Sequence, residues 1–479
     1  MQRFRRLVFS AFVVLYLLLC PLTILYALGY VLQPGEQRFV KTGLISLSTA
    51  PSGASVYVGN RRYARQTPTT IRALLPGEYT VRLSRKPYQP WVRTVRVESE
   101  KASVFEHVLL IPQAWSRRTA LPGPWVGLTA MPGTRFLLLA GGDMLQDLVV
   151  YDTRQERSWL LLPPGSPWGP LHLTALTPIT DEPVLVIQGE LDGHDYVLWI
   201  DIRAREARVE LLSMTPLLRG GARVQLAGTR HHLVYLDGAN LLELKPTGVD
   251  EPRLLASSVR GFGVVQRKLY VLTETGVLYR LDVDGQRAEI VTDDAALRSL
   301  VTVARGVVTI SGVSTDLLVM QDETGAVWSA VHGERLVDRG VQGMAWAADR
   351  QRLLVWTREA VGIIDWSHVE SDEETRVPPA VQWVLRDGRG VSDAWWVYED
   401  SHVLIHEGET LSLVEVDASG SRRRATVADA TRKSRAAYLE ETGTLHYLEP
   451  KTNALTAVTV LPEHAVAPRA IPEGEEAAP

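Results

Sequence analysis

The chain contains eleven histidines, 55 acidic side chains and a single cysteine, and their spacing limits the chemistry open to them. No His-Glu-x-x-His pair occurs, and no Gly-x-Ser-x-Gly elbow. A helix-borne zinc site and a hydrolase nucleophile are therefore both unspecified. His402 and His406 stand four apart in HVLIH. On a strand they share one face about 13 Å apart, too far to hold one metal, which predicts a structural pair. His231 and His232 are adjacent, so at most one points inward. The stretch DVDG beginning at Asp282 opens like a calcium loop, but its twelfth position is Asp293 instead of glutamate, and it reads as a hairpin. The acidic run ESDEE beginning at Glu370 reads as a solvated loop. Cys20 lies inside an apolar run, so the remainder of the chain has no thiol for a disulfide, a nucleophile or a metal. No catalytic residue, metal ligand or cofactor site is assigned from these residues.

Aromatic side chains are the other candidates for recognition. The thirteen tryptophans outnumber the seven phenylalanines. Most are expected to wedge into apolar gaps. Trp395 and Trp396 are neighbours, and on a strand neighbours face opposite sides, so one of them is a candidate to line an opening. Tyr88, Pro90 and Trp91 have a second reading besides packing, as a platform for sugar rings, since such side chains are apolar with a polar handle. The candidate ligand-binding residues are thus Tyr88, Trp91, Trp395 and Trp396.

The elements that position these residues are strands. From Thr42 onward the apolar pattern alternates, the mark of half-buried strands. Pro68 lacks a donor and demotes its segment to an edge. Gly59-Asn60 fits a tight hairpin, and Pro76-Gly77 fits a type II turn. Together these predict an antiparallel β-sandwich of about 70 residues. The stretches TAPSGASVYVGN, TPTTI, LLPGEYTVRL and YQPW, in that order, resemble the PEGA domain over residues 42–111. Pro76, Gly77 and Glu78 fit its name motif, with Tyr79 in place of the final alanine. The wider arrangement is similar to bacterial PEGA-domain membrane proteins with one spanning helix and a long β-rich C-terminal region. That resemblance implies an extracytoplasmic module and transfers no catalytic residue.

Beyond Pro112 the chain shows no helical period of useful length. One phrase recurs instead: an apolar strand, a turn at or near Asp152, Asp201, Lys245, Asp282, Asp322, Asp365, Glu415 or Glu449, and a second apolar strand. The 297 residues from Asp152 to Glu449 span seven intervals of about 42 residues, the period of a β-propeller blade. Eight blades are expected, or seven if Lys245 or Glu449 is not a true repeat, with a strand within 114–122 completing the last blade. The recurring acids are expected to cap hairpins through their own backbone.

At the N-terminus, Arg3, Arg5 and Arg6 precede an uncharged run from Leu7 to Leu32. Its length predicts a transmembrane helix with the arginines on the cytoplasmic side. A signal peptide needs a shorter apolar core, and a lipoprotein signal needs a small residue before Cys20, where Leu19 stands. The expected all-β organisation is then a basic start at 1–6, the spanning helix at 7–32, a linker at 33–41, the sandwich at 42–111, the propeller at 112–462 and a disordered tail at 463–479.

Charge divides along the same lines. Residues 33–116 carry twelve basic and five acidic side chains, and residues 117–479 carry 36 and 50. The acidic second part is unsuited to nucleic acid. Two functional readings follow, both at the cell membrane with the bulk of the chain outside. One is a non-catalytic envelope scaffold whose propeller docks a protein or glycan partner. The other is an extracytoplasmic propeller enzyme acting on glycans or wall peptides, which needs two carboxylates within about 5–9 Å or a histidine with acids at the axial mouth.

Overall fold

The computed structural model describes the chain except residues 1, 28–29, 34–37, 181, 203–207, 212–223, 228–232, 245–251, 282–286, 331–332, 348–350, 368–378, 418–421, 431–435 and 463–479. His231, His232, Lys245, the DVDG stretch, the ESDEE run and the C-terminal tail lie outside the described residues. The chain forms two compact units, one built chiefly from residues 1–115 and the other from the remainder up to Val460.

A helix spans Gln2–Ala27, and Phe9, Phe12, Leu15, Leu17 and Leu18 along it are exposed. The apolar run does not stay helical to Leu32 as expected. Tyr30–Gln33 is a strand that pairs antiparallel with Arg38–Lys41, which also replaces part of the expected linker. Among the described residues no helix is long and apolar enough to cross a membrane.

The small sandwich follows. One sheet orders Thr69–Leu74, Gly43–Ala50 and Ala102–Leu109, and the other orders Arg61–Gln66, Ser55–Val58, Gly77–Ser84 and Trp91–Val97. Strict alternation drives the second sheet: along Trp91–Val97 every odd residue is buried and every even one exposed. Ile45, Leu47, Val56, Val81, Leu83 and Trp91 meet between the sheets and are at most 1% exposed. The expected purely antiparallel sandwich needs correction, because Ala102–Leu109 runs parallel to Gly43–Ala50. The reason is local. The turn after Val97 lands on the start of the Gly43 strand, where Leu44 N–H donates to the Lys101 carbonyl and Glu100 N–H to that of Thr42. A strand leaving that point must run the same way. Gly43 permits the approach, since a Cβ there would lie 2.4 Å from the Glu98 carbonyl oxygen. The type II turn at Pro76-Gly77 also fails: Gly77 has φ 157° and already pairs with Val97, far from the roughly +80° such a turn requires.

The second unit contains, among its described residues, eight four-stranded antiparallel meanders. Blades 1 to 7 occupy residues 127–160, 172–211, 224–256, 259–292, 308–337, 341–385 and 391–429. Blade 8 joins Ala437–Leu439, Thr444–Leu448 and Leu455–Thr459 to Arg117–Leu121, the strand that precedes blade 1. This closes the ring with strands from both ends, the propeller solution to exposed sheet edges. Aliphatic clusters bridge successive blades, as where Leu185, Ile187 and Leu198 of blade 2 meet Phe136, Leu138 and Val150 of blade 1. Blade 8 meets blade 1 through Leu448 and Leu455 against Leu137 and Leu139.

Blades 4 and 5 go further and share a single eight-stranded sheet. Their first strands pair in parallel, Gly261 with Val308 and Phe262 with Thr309. First strands that touch across blades are the innermost ones. Gly261 and Gly263 make this possible: a Cβ would lie 2.1 Å from the Val308 oxygen at one and 1.8 Å from the Ile310 oxygen at the other.

Between these blades the structure holds a helix the sequence pattern did not predict, Ala295–Val303. Asp294 caps it by accepting from Ala296 N–H at 3.0 Å, and Leu297 and Leu300 bury its inner face.

Candidate functional site

The recurring acids behave as turn caps wherever they are described with partners. Asp152 accepts from the N–H groups of Arg154 and Gln155 at 2.9 and 3.0 Å and pairs with Arg135. Asp365 accepts from Ser367 N–H at 2.8 Å. Asp322 is the fullest case, accepting from the N–H groups of Arg305, Thr324 and Ala326 and from the Thr324 hydroxyl, all within 3.0 Å. Burial pushes its carboxyl upward, but these four donors outweigh it and hold the carboxyl below its ordinary range. A carboxylate so committed orders a turn and has little left for a ligand.

That turn forms one wall of a cleft of about 480 Å³ on blade 5, a volume in the range of small-ligand sites. Arg305, Arg335 and Arg339 line it with Asp322, Asp338 and Trp328. Trp328 is buried and serves as a floor, with the Arg335 guanidinium 5.3 Å above its ring and 3.7 Å from Asp338. Among the described residues Arg305 and Arg339 have no carboxylate partner, so two guanidiniums remain for an anion. Gly325 and Gly340, with φ of 75° and 81°, shape the rim. The charge pattern was on view in the sequence, but the cleft was not, because it gathers a helix end, a hairpin turn and an interblade link.

The four aromatic candidates fall in different places. Trp91 is 1% exposed, in edge contact with Phe105 at 5.6 Å, and therefore packs the sandwich core. Tyr88 packs half-buried against the same core. The sugar-platform reading needs an exposed ring at Trp91, and that ring is enclosed. Trp396 is buried against blade 6, where its Nε1–H donates to the Ala345 carbonyl at 2.9 Å and Arg352 lies 5.4 Å from its ring. Trp395 takes the opposite face of the same innermost strand and is half-buried. The structure brings none of the four into the blade 5 cleft.

Strand alternation reveals a buried polar seam as well. With Trp396 turned to blade 6, the other face of blade 7 looks toward blade 8 and carries Asp393, His402, His406 and Glu415. His402 lies opposite Glu415, and Asp393 opposite His406. Blade 8 turns His446 toward Tyr151 of blade 1, which leaves Tyr438 and Thr456 facing blade 7. Among the described residues, His406 at both ring nitrogens, the Tyr438 hydroxyl and the Thr456 hydroxyl are buried without a hydrogen-bond partner. Burial lowers the affinity of His406 for a proton, with the main chain at Gly408 partly opposing, and burial raises the Tyr438 hydroxyl beyond the ordinary tyrosine range. The two histidines of HVLIH thus share one buried face of a single strand. Among the described residues no group of three or more His, Cys, Asp or Glu side chains is placed to hold a metal.

Residues 42–109 match the PEGA domain. The PEGA domain accounts for the sandwich and for nothing after it. No curated protein matches the chain. Among solved structures, Kluyveromyces lactis Hsv2 is 12% identical with a TM-score of 0.41, covering 64% of this chain and 99% of its own. The beta-propeller domain of Myceliophteria thermophila Cps50 (Swd1) is 12% identical at 0.39, covering 72% and 100%. YCF48 from Cyanidioschyzon merolae is 10% identical at 0.38, covering 72% and 98%. With scores this low, the description of the second unit as a propeller stands on its own strand order and ring closure.

Proposed function

We propose that this protein is a membrane-attached, extracytoplasmic, non-catalytic scaffold of the cell envelope, with a PEGA domain near the bilayer and a propeller that docks a carboxylate-bearing protein or glycan. One observation carries the docking role: in the blade 5 cleft Asp322 is consumed by its turn, while among the described residues the guanidiniums of Arg305 and Arg339 form no ion pair. Two such guanidiniums lining a cleft that also holds a buried tryptophan suit a planar carboxylate. Attachment is supported by the N-terminal helix, where Phe9 and Phe12 are 71% and 70% exposed and lipid is the solvent such a surface prefers. The arginines ahead of it favour a cytoplasmic N-terminus.

The test is photo-crosslinking in intact cells from a reactive residue at Val303, on the cleft wall. A discrete product that disappears on Arg305→Glu with Arg339→Glu supports the docking role. An unchanged product overturns it. Protease added to intact cells tests the orientation, and a propeller spared until lysis rules it out.

A further inference from the structure

Residues 55–97 of the PEGA domain carry nine arginines and lysines against one acid, Glu78. Three of the nine are ion-paired, hydrogen-bonded or beside an acid. Arg93 is buried and ion-paired, Arg85 donates to the Ser52 carbonyl, and Arg96 lies beside Glu98. The other six, Arg61, Arg62, Arg65, Arg72, Arg82 and Lys86, are exposed and, among the described residues, have no carboxylate partner. So many unpaired like charges on one small domain repel one another, and the repulsion is relieved when a negative surface approaches.

The register shows how these charges are presented. Arg62 lies opposite Tyr57, Tyr57 opposite Arg82, and Arg82 opposite Val92, one row across the outer face of the four-stranded sheet. Arg82 stacks 4.3 Å from the centre of the Tyr57 ring, which fixes its direction. Val92 is 52% exposed at the end of the row, an apolar tip beside Arg82. Guanidinium groups held over tyrosine with an apolar neighbour match the chemistry of a phosphate headgroup layer.

We infer that this outer sheet face docks on anionic lipid headgroups, laying the PEGA domain against the bilayer. The inference rests on the membrane-attached reading above and deepens it. The sequence keeps the face within reach, because fifteen residues separate Ala27 at the helix end from Gly43. Even fully extended they span no more than about 55 Å. Attraction of this kind acts only within roughly 10 Å at ordinary salt, so it requires contact.

The experiment uses the full chain with Val92→Cys carrying a nitroxide, in a Cys20→Ser background. It is mixed with vesicles of phosphatidylcholine alone or with one-third phosphatidylglycerol, each doped with a nickel-chelating lipid headgroup. Nitroxide relaxation by nickel is expected to be roughly threefold stronger or more on the anionic vesicles, and to fall to the neutral level in high salt. Arg62→Glu with Arg82→Glu abolishes the difference, and Arg62→Lys with Arg82→Lys retains most of it. Equal relaxation on both vesicles, or indifference to charge reversal, overturns the inference. If inorganic phosphate displaces the label better than sodium chloride of equal ionic strength, the face takes free phosphate instead and the lipid assignment is overturned. Co-flotation separates the two levels. A chain that floats with both vesicle types yet shows no difference in relaxation sinks only the headgroup contact, while a chain that floats with neither sinks the attachment.

Discussion

Two seams of the propeller solve one packing problem with opposite materials. Between blades 4 and 5 the chain removes side chains: Gly261 and Gly263 let innermost strands pair through their backbones, and Tyr270, Leu272, Ile310 and Met320 close around them. Between blades 7 and 8 it keeps large polar side chains, with His402, His406, Glu415 and Thr456 buried. The first seam gains from backbone hydrogen bonds and dispersion and contains little that titrates. The second seals apolar surface such as Leu404 and Leu445 but leaves buried donors and acceptors unpaired, each a standing cost of about 1–3 kcal/mol. The ring therefore has a stiff side and a side close to balance, and the closing strand Arg117–Leu121 belongs to the second. Arg117 reaches across to donate to the Val427 carbonyl of blade 7 at 3.0 Å.

The sharpest way to break the contrast is at the glycines. Gly263→Val places a Cβ against the Ile310 carbonyl oxygen, where only backbone movement gives relief. We expect more than about 3 kcal/mol of destabilisation, read as a lowered denaturant midpoint, or failure of the ring to fold. A variant within about 1 kcal/mol of the parent would mean that the two sheets are not joined as described. Leu272→Ala comes next. It empties a fully buried position in the same seam and is expected to cost about 2–5 kcal/mol with the fold retained.

Acid distinguishes the seams by a third route. His406, facing blade 8, and His446, facing blade 1, are held neutral chiefly by burial, His446 down to about 4 with the Arg118 charge assisting. The unfolded chain protonates both near 6.5, so below that pH it binds more protons than the folded one. Their stabilising neutrality is present above 6.5 and is lost as pH falls toward the folded values, at most about 1.4 kcal/mol per pH unit for each histidine. Carboxylates held low, such as Asp322 and Glu407, contribute only at lower pH, below the ordinary carboxylate range. Denaturant midpoints measured between pH 7 and about 5 should therefore decline, and replacing both histidines with leucine should flatten the decline. A slope that survives the double replacement would place the titrating groups elsewhere.

Much of this was legible because it is local. A turn cap such as Asp152 needs only its own next few residues, and the blade repeat is a chain of short hairpins, so both showed in the sequence. The parallel strand Ala102–Leu109 was not visible, because its direction is set by where a turn lands some sixty residues from the partner's start. The helix Ala295–Val303 announced itself weakly, with Asp294 as cap and Leu297 and Leu300 three apart, but nine residues are too few for a clear period. The cleft and the polar seam are assembled from separate blades. Alternation tells which residues share a face, yet only ring order tells which blade that face meets.

The smallest expected effect is the most informative about the polar seam. His406→Leu removes two ring nitrogens that have no hydrogen-bond partner among the described residues and substitutes an apolar side chain of comparable bulk but different shape. Desolvation of the imidazole is relieved while some contact is lost, and the two contributions oppose each other, so the net change at neutral pH should lie within about 1 kcal/mol of zero. Leu272→Ala in the glycine seam instead removes apolar bulk with no polar cost to offset it, and its loss should show in full. If His406→Leu instead destabilised the protein by as much as Leu272→Ala, the imidazole would have to be satisfied in the folded state. The seam would then be a built polar network instead of a compromise, and the stiff and balanced sides of the ring would be alike.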